Sequence, residues 1–239
     1  MSVARPSFGA VLNRFLTEHE HEPRARTTKV IQAKIVTSLQ AFLALVTIIL
    51  LTASAWGHDE TAAQKNKGAE RREVRIPIED FTLVDQRARP FNFKSLGGKV
   101  VIVAFAYTTC PDVCPLITAA MRQVQDALKP EERASVYFLT ITTDPEIDTP
   151  NVMASYAGRY EVDHANWAFL SGDEGGLKDV WKNFGVGVRR KARGLIDHTT
   201  LTAVIDRSGT MRIAYVGTAP DPKAILKDTL RLLRESKPN

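Results

Sequence analysis

Val100-Val101-Ile102-Val103-Ala104-Phe105-Ala106-Tyr107 is an unbroken run of apolar side chains, mostly β-branched or aromatic. A short run with no polar alternation reads as a strand buried on both faces. Such a strand needs helices packed on each side of its sheet, so the chain is expected to be α/β. Flanking patterns agree. Ile117, Met121, Val124 and Leu128 recur at helical spacing after Pro115, a residue tolerated in a first helical turn, and Pro130 stops that helix. Val136–Thr142 reads as a second buried strand. Thr149-Pro150 opens a helix through Met153 and Tyr156 that ends near Gly158, and Trp167–Leu170 is a short strand. Leu177, Val180, Trp181 and Phe184 mark the apolar face of a further helix closed by Gly185. Leu201–Asp206 and Met211–Val216 are strands joined by a turn at Arg207-Ser208-Gly209-Thr210. A last helix follows Pro222, and Phe81–Val84 opens a strand or hairpin. The order predicts one mixed sheet with helices on both faces.

The 239 residues divide unevenly before that body begins. Residues 1–34 form a polar, basic leader. Residues 35–55 are uncharged, and Ala41–Leu51 carries ten apolar residues and one Thr. Ala53-Ser54-Ala55 then gives the small-x-small pattern of a signal-peptidase site, so residues 35–55 read as a signal peptide or an uncleaved membrane anchor. In either case the basic flank stays inside and the body is exported. Residues 56–73 are polar and aperiodic and read as a linker, leaving 74–239 as the folded domain. The net charge of +5 carries no nucleic-acid signal. Residues 1–55 hold six of the 32 Lys and Arg but only three of the 27 Asp and Glu, so the rest is nearly balanced.

Only two cysteines exist, and they share the segment Cys110-Pro-Asp-Val-Cys114. The segment lies between the first buried strand and the following helix, at the strand's carboxyl end, where open α/β sheets place their sites. A helix N-terminus favours thiolate, the form that attacks disulfides and ligates metals. Cys114, at the helix start, is expected to feel this more than Cys110. Thioredoxin-type redox motifs have two residues between their cysteines; here there are three. The wider loop can close a disulfide, but it also lets both sulfurs face one soft cation, and an added imidazole makes an S₂N set. Five histidines are available. His19 and His21 are in the leader, and His164 lies in a polar loop and reads as a surface residue. His198 lies just before the strand at Leu201, and on its own it reads as an ordinary loop or core histidine beside an Asp197 able to orient its ring.

Phe105-Ala-Tyr-Thr-Thr-Cys110-Pro-Asp-Val-Cys114-Pro115, Thr143-Asp144-Pro145-Glu-Ile-Asp148-Thr149-Pro150 and Asp197-His198-Thr199 together resemble the Sco/SenC family over roughly Val74–Leu233. These are the thioredoxin-like copper chaperones of cytochrome c oxidase assembly. The resemblance implies a thioredoxin-like mixed sheet flanked by helices, with copper bound by Cys110, Cys114 and His198. It implies export to the periplasmic side of the bacterial inner membrane, anchored or soluble. The implied partner is cytochrome c oxidase subunit II or another exported cuproprotein, with an upstream copper donor or thiol reductant. The chain departs from the family where Ala106 replaces Gly, where Ile147 replaces Arg, and where Leu201–Val204 lacks an aromatic residue. Asp148 matches a family acidic position near the site, and it equally suits the start of a helix.

The expected function is therefore a metallochaperone that delivers copper to the binuclear copper site of subunit II. The alternative is a thiol–disulfide oxidoreductase in which Cys110 and Cys114 cycle with a partner's cysteines. A peroxide-handling role needs one cysteine and leaves the second, and the histidine, unexplained. Cleavage after Ala55 would also expose Trp56-Gly57-His58, a nitrogen set suited to Cu(II).

Overall fold

The computed structural model describes residues 68–235. The leader, the apolar segment 35–55 and Trp56-Gly57-His58 lie outside the described residues. Among the described residues no helix is long and apolar enough to cross a membrane.

The expected first strand is β4 (Val100–Ala106), and every one of its seven residues is buried. Its side chains alternate between two cores: Val101, Val103 and Phe105 point into one, Val100, Ile102 and Ala104 into the other. Each large side chain so buried stabilises the fold by about 1.5–3 kcal/mol. β4 pairs in parallel with β5 (Val136–Thr142), and β5 with β6 (Trp167–Ser171). On its other side β4 pairs antiparallel with β9 (Leu201–Ile205), which forms a hairpin with β10 (Thr210–Val216). β1 (Glu70–Pro77) adds to β10 at one edge of the sheet. The hairpin of β2 (Thr82–Asp85) and β3 (Pro90–Asn92) adds to β6 at the other. The eight-stranded order is β1-β10-β9-β4-β5-β6-β2-β3. β1 runs antiparallel to β10, with Glu70 opposite Val216, so its first residue lies at the sheet end where β4 finishes.

One face is covered by α1 (Val113–Ala127), α3 (Pro150–Gly158) and α5 (Pro222–Arg234), which bury Ile117, Met121, Val124, Met153, Tyr156, Ile225 and Leu232. The short α2 (Pro130–Arg133) precedes β5. The opposite face is covered by α4 (Glu174–Asn183) through Leu177, Val180 and Trp181. α4 ends in a Schellman motif: Gly185 takes φ +68° and donates to Lys182 O, while Val186 N–H reaches Trp181 O at 2.7 Å. That reversal sends the chain into β7 (Val188–Arg190) and β8 (Ile196–His198), a small two-stranded sheet separate from the main one.

Three strands depart from the sequence expectation, β1 and the pair β7 and β8. β1 starts at Glu70, inside the stretch 56–73 read as linker. It is an edge strand with nearly every residue exposed, so it carries no apolar alternation to read. The β7–β8 hairpin falls where no element was expected, because its six residues bury only Ile196 fully.

Candidate functional site

β4 delivers the chain to the cysteine loop, and the first turn of α1 carries it away. Cys110 N–H donates to Tyr107 O at 3.2 Å, and Cys114 N–H points at Cys110 Sγ, 3.4 Å away. Both thiols are free and buried, Cys110 at 9% exposure and Cys114 at 1%. They form a small apolar cluster with Ala106, Tyr107 and Ile196, against which Val113 and Val188 pack. Pro115 is the third helical residue rather than the first, still within the turn whose N–H groups need no intrahelical partner.

The two thiols are opposite in character, and not in the order the helix start implies. Cys110 is lowered, first by the hydrogen bond from the Cys114 thiol and then by the backbone N–H groups of Asp112 and Cys114, which outweigh its burial. Cys114 is raised, because it is the donor in that same bond and because it is buried deeper. The expectation that Cys114 is the stronger thiolate is therefore corrected: burial and the neighbouring sulfur outweigh the helix start. The arrangement favours thiolate at the shallower Cys110 and the protonated thiol at the deeper Cys114.

Asp148 is fully buried and does not cap a helix. Thr149 caps α3 instead, accepting from Val152 N–H. The Asp148 carboxylate accepts Thr108 N–H at 3.2 Å, the Thr108 hydroxyl, and the Thr142 hydroxyl at 2.6 Å. It thereby ties the cysteine loop to the end of β5. Burial raises its pKa, and the Thr108 and Thr142 bonds oppose that.

His198 ends β8, and its ring meets the Tyr107 ring edge-on with centroids 6.0 Å apart. Its Nδ1 lies 3.0 Å from the Thr199 carbonyl oxygen, which can only accept. Nδ1 thus carries the proton, and Nε2 presents its lone pair. Burial lowers the pKa of His198, which favours this neutral, ligating form. Asp197 does not orient the ring. Its carboxylate turns to Arg189, at 2.8 Å, and Lys191, at 3.1 Å. His164 takes no part: its Nδ1 bonds Gln86 Nε2 at 3.0 Å, just before β6, at the opposite end of the parallel strands.

Cys110, Cys114 and the hairpin carrying His198 are thus brought together, through Ile196 and Val188. They are not closed around a point: among the described residues no group of three His, Cys, Asp or Glu side chains stands close enough to hold a metal ion. In chemistry the donors suit a soft cation, with two sulfurs and one imidazole nitrogen. Sequence reasoning missed Thr108 and the pair of Arg190 with Asp144, whose Nη2 and Oδ1 are 2.5 Å apart. Thr108 and Asp144 stand inside the motifs quoted above but were not singled out there, and Arg190 lies on an exposed strand whose sequence does not mark it.

Comparison with known proteins gives a consistent picture. A family model described as SCO1/SenC matches residues 69–234. An SCO2-like protein of Rickettsia typhi is 31% identical over 137 residues, which is 55% of this chain and 66% of that one. A SCO1/SenC family lipoprotein from Bacillus anthracis shares the fold at a TM-score of 0.62 and 30% identity, over 67% of this chain and 97% of its own. Bradyrhizobium japonicum ScoI, solved with copper bound, gives a TM-score of 0.57 at 29% identity, over 66% and 100%. The thioredoxin-like fold expected from the sequence is thus the fold of the described domain.

Proposed function

Because this chain belongs to the SCO1/SenC family, we propose that it is a copper metallochaperone. Cys110, Cys114 and His198 hold the ion as cargo, and the receiving site is the binuclear copper site of cytochrome c oxidase subunit II or of another exported cuproprotein. The observation that carries the reading is a pair of free, buried thiols at the end of β4 that share one apolar cluster with the hairpin bearing a neutral imidazole. Copper bound to ScoI of Bradyrhizobium japonicum supports the choice of metal. Transfer is ligand exchange: each donor of the acceptor displaces one of the three, and neither protein is oxidised. Cys110, the shallower of the two buried thiols, is the sulfur donor more open to incoming groups. The domain works on the periplasmic side of the inner membrane, held there or released according to the fate of residues 35–55. The polar basic flank and uncharged apolar run support that placement.

A second reading rests on the unequal thiols. Cys110 thiolate can attack a disulfide of a partner, and Cys114 can then displace the partner's sulfur. This leaves a Cys110–Cys114 disulfide here and two reduced thiols on the partner. The third donor is unused in that chemistry, which is why the metallochaperone is preferred.

The test is anaerobic Cu(I) titration of the reduced full-length chain with X-ray absorption at the copper edge. The expected result is one copper per chain with two sulfurs and one nitrogen. His198→Ala should lose the nitrogen and weaken binding beyond the ~10–100-fold that altering an outer-shell partner costs. Absence of Cu(I) binding, with a readily cycled disulfide, would establish the second reading instead.

A further inference from the structure

We propose that Asp144 and Arg190 form a latch that sets the position of His198, so that the turn between β5 and α3 is a common bracket for both halves of the copper site. The inference rests on the metallochaperone reading and names positioning residues for it.

The β7–β8 hairpin is three residues on each side and pairs with no strand of the main sheet. An isolated hairpin of that size is marginal in water, so its side-chain anchors decide where it lies. One anchor is apolar, Ile196 and Val188 against the cysteine cluster. Apolar contact is non-directional and fixes a distance poorly. The His198 ring also meets Tyr107 edge-on. The charged anchor is Arg190, whose Nη2 meets Asp144 Oδ1 at 2.5 Å and Glu146 Oε2 at 3.1 Å.

Asp144 is an unusual residue to find here. It is 1% exposed, and its second oxygen, Oδ2, is buried with no hydrogen-bond partner. Among the described residues its ion pair is with Arg190. A buried carboxylate so incompletely satisfied is weak as a source of stability, since apolar residues of the same size would serve as well or better. What it supplies is direction: the guanidinium is drawn to the turn between β5 and α3, where Asp144 is its buried partner and Glu146 its exposed one.

That place is coupled to the cysteine loop through the backbone. Asp148 N–H donates to Asp144 O at 2.9 Å, and the Asp148 carboxylate holds Thr108. Two acidic residues four apart in one turn thus grip the two ligand-bearing segments, Asp148 the dithiol loop and Asp144 the imidazole hairpin. Arg190 pairs with Ile196, whereas His198 pairs with Val188 at the other end. The latch thus fixes the hairpin at the Arg190 end, while Val188, packed on the cysteine cluster, holds the end that carries His198.

The test is a double-mutant cycle on the reduced full-length chain, with Cu(I) affinity measured by chelator competition and the donor set by X-ray absorption. Arg190→Met is expected to weaken binding about 10–100-fold and to reduce the nitrogen contribution. In a His198→Ala background the same change should cost less than about twofold, because the latch acts through the imidazole. Arg190→Lys, which keeps a cation opposite Asp144, should recover most of the loss. Asp144→Asn removes the charge without stranding it, so it carries the test if Arg190→Met does not fold. Wild-type affinity in Asp144→Asn, or equal losses from Arg190→Met with and without His198, overturns the latch. Wild-type affinity in His198→Ala alone overturns the ligand set on which it depends.

Discussion

Cys110 and Cys114 have the same side chain, yet the fold gives them different chemistry. The difference is one of depth and of which sulfur donates to the other. Iodoacetamide at pH 6–7 is therefore expected to label Cys110 and spare Cys114, as read by peptide mass spectrometry. The labelling rate of Cys110 should reach half its plateau below the ~8.5 of a free thiol. Cys114→Ala removes the first cause of the shift and should move that midpoint back up. An unchanged midpoint in Cys114→Ala would show that the backbone N–H groups alone suffice. The two residues and their spacing were legible in the sequence, because type and separation are local. Which one is the thiolate was not legible, because burial is decided by Tyr107 beside the loop and by Val188 and Ile196, brought in on the distant β7–β8 hairpin.

At the scale of elements, the edge strand β1 is held to α5 by charge rather than by a core. Arg71 Nε and Nη2 reach the two oxygens of Asp228 at 2.6 and 2.8 Å, and the Tyr215 hydroxyl donates to the same carboxylate at 2.6 Å. Burial alone would raise the pKa of Asp228, but the guanidinium and the hydroxyl overcome it and hold the carboxyl below the usual range. A depressed folded-state pKa contributes stability that is fully present above the unfolded value, about 3.9, and is lost as pH falls through the folded one. Asp228→Asn should cost about 2 kcal/mol at pH 7 by urea unfolding. It should cost progressively less below pH 4; an equal cost at pH 3 and pH 7 would show that the ion pair contributes nothing. Elements with a buried face, such as β4, β5, α1 and α4, were legible from periodicity. β1 and the β7–β8 hairpin were not, since ion pairs between distant segments leave no period in a sequence.

The described domain is a sheet between two cores, with the candidate site at one end of it. A cavity in the second core should therefore reduce stability without altering the site. Leu177→Ala removes a fully buried side chain from the face covered by α4. It is expected to cost about 2–5 kcal/mol, measured by urea unfolding, while one copper per chain is still bound without denaturant. Loss of copper stoichiometry in a folded Leu177→Ala protein would show that the cores and the site are not separable.

The direction of β1 bears on how such a domain meets other molecules. Glu70 lies at the sheet end where β4 gives way to the cysteine loop, three strands across from it. At ~4.8 Å per strand that is ~14 Å. Whatever precedes residue 68 is therefore attached at the dithiol's end of the domain and not at the far end. For a domain attached at that point, the sulfurs have a short lever arm: turning the domain would change the direction they face far more than the distance they travel.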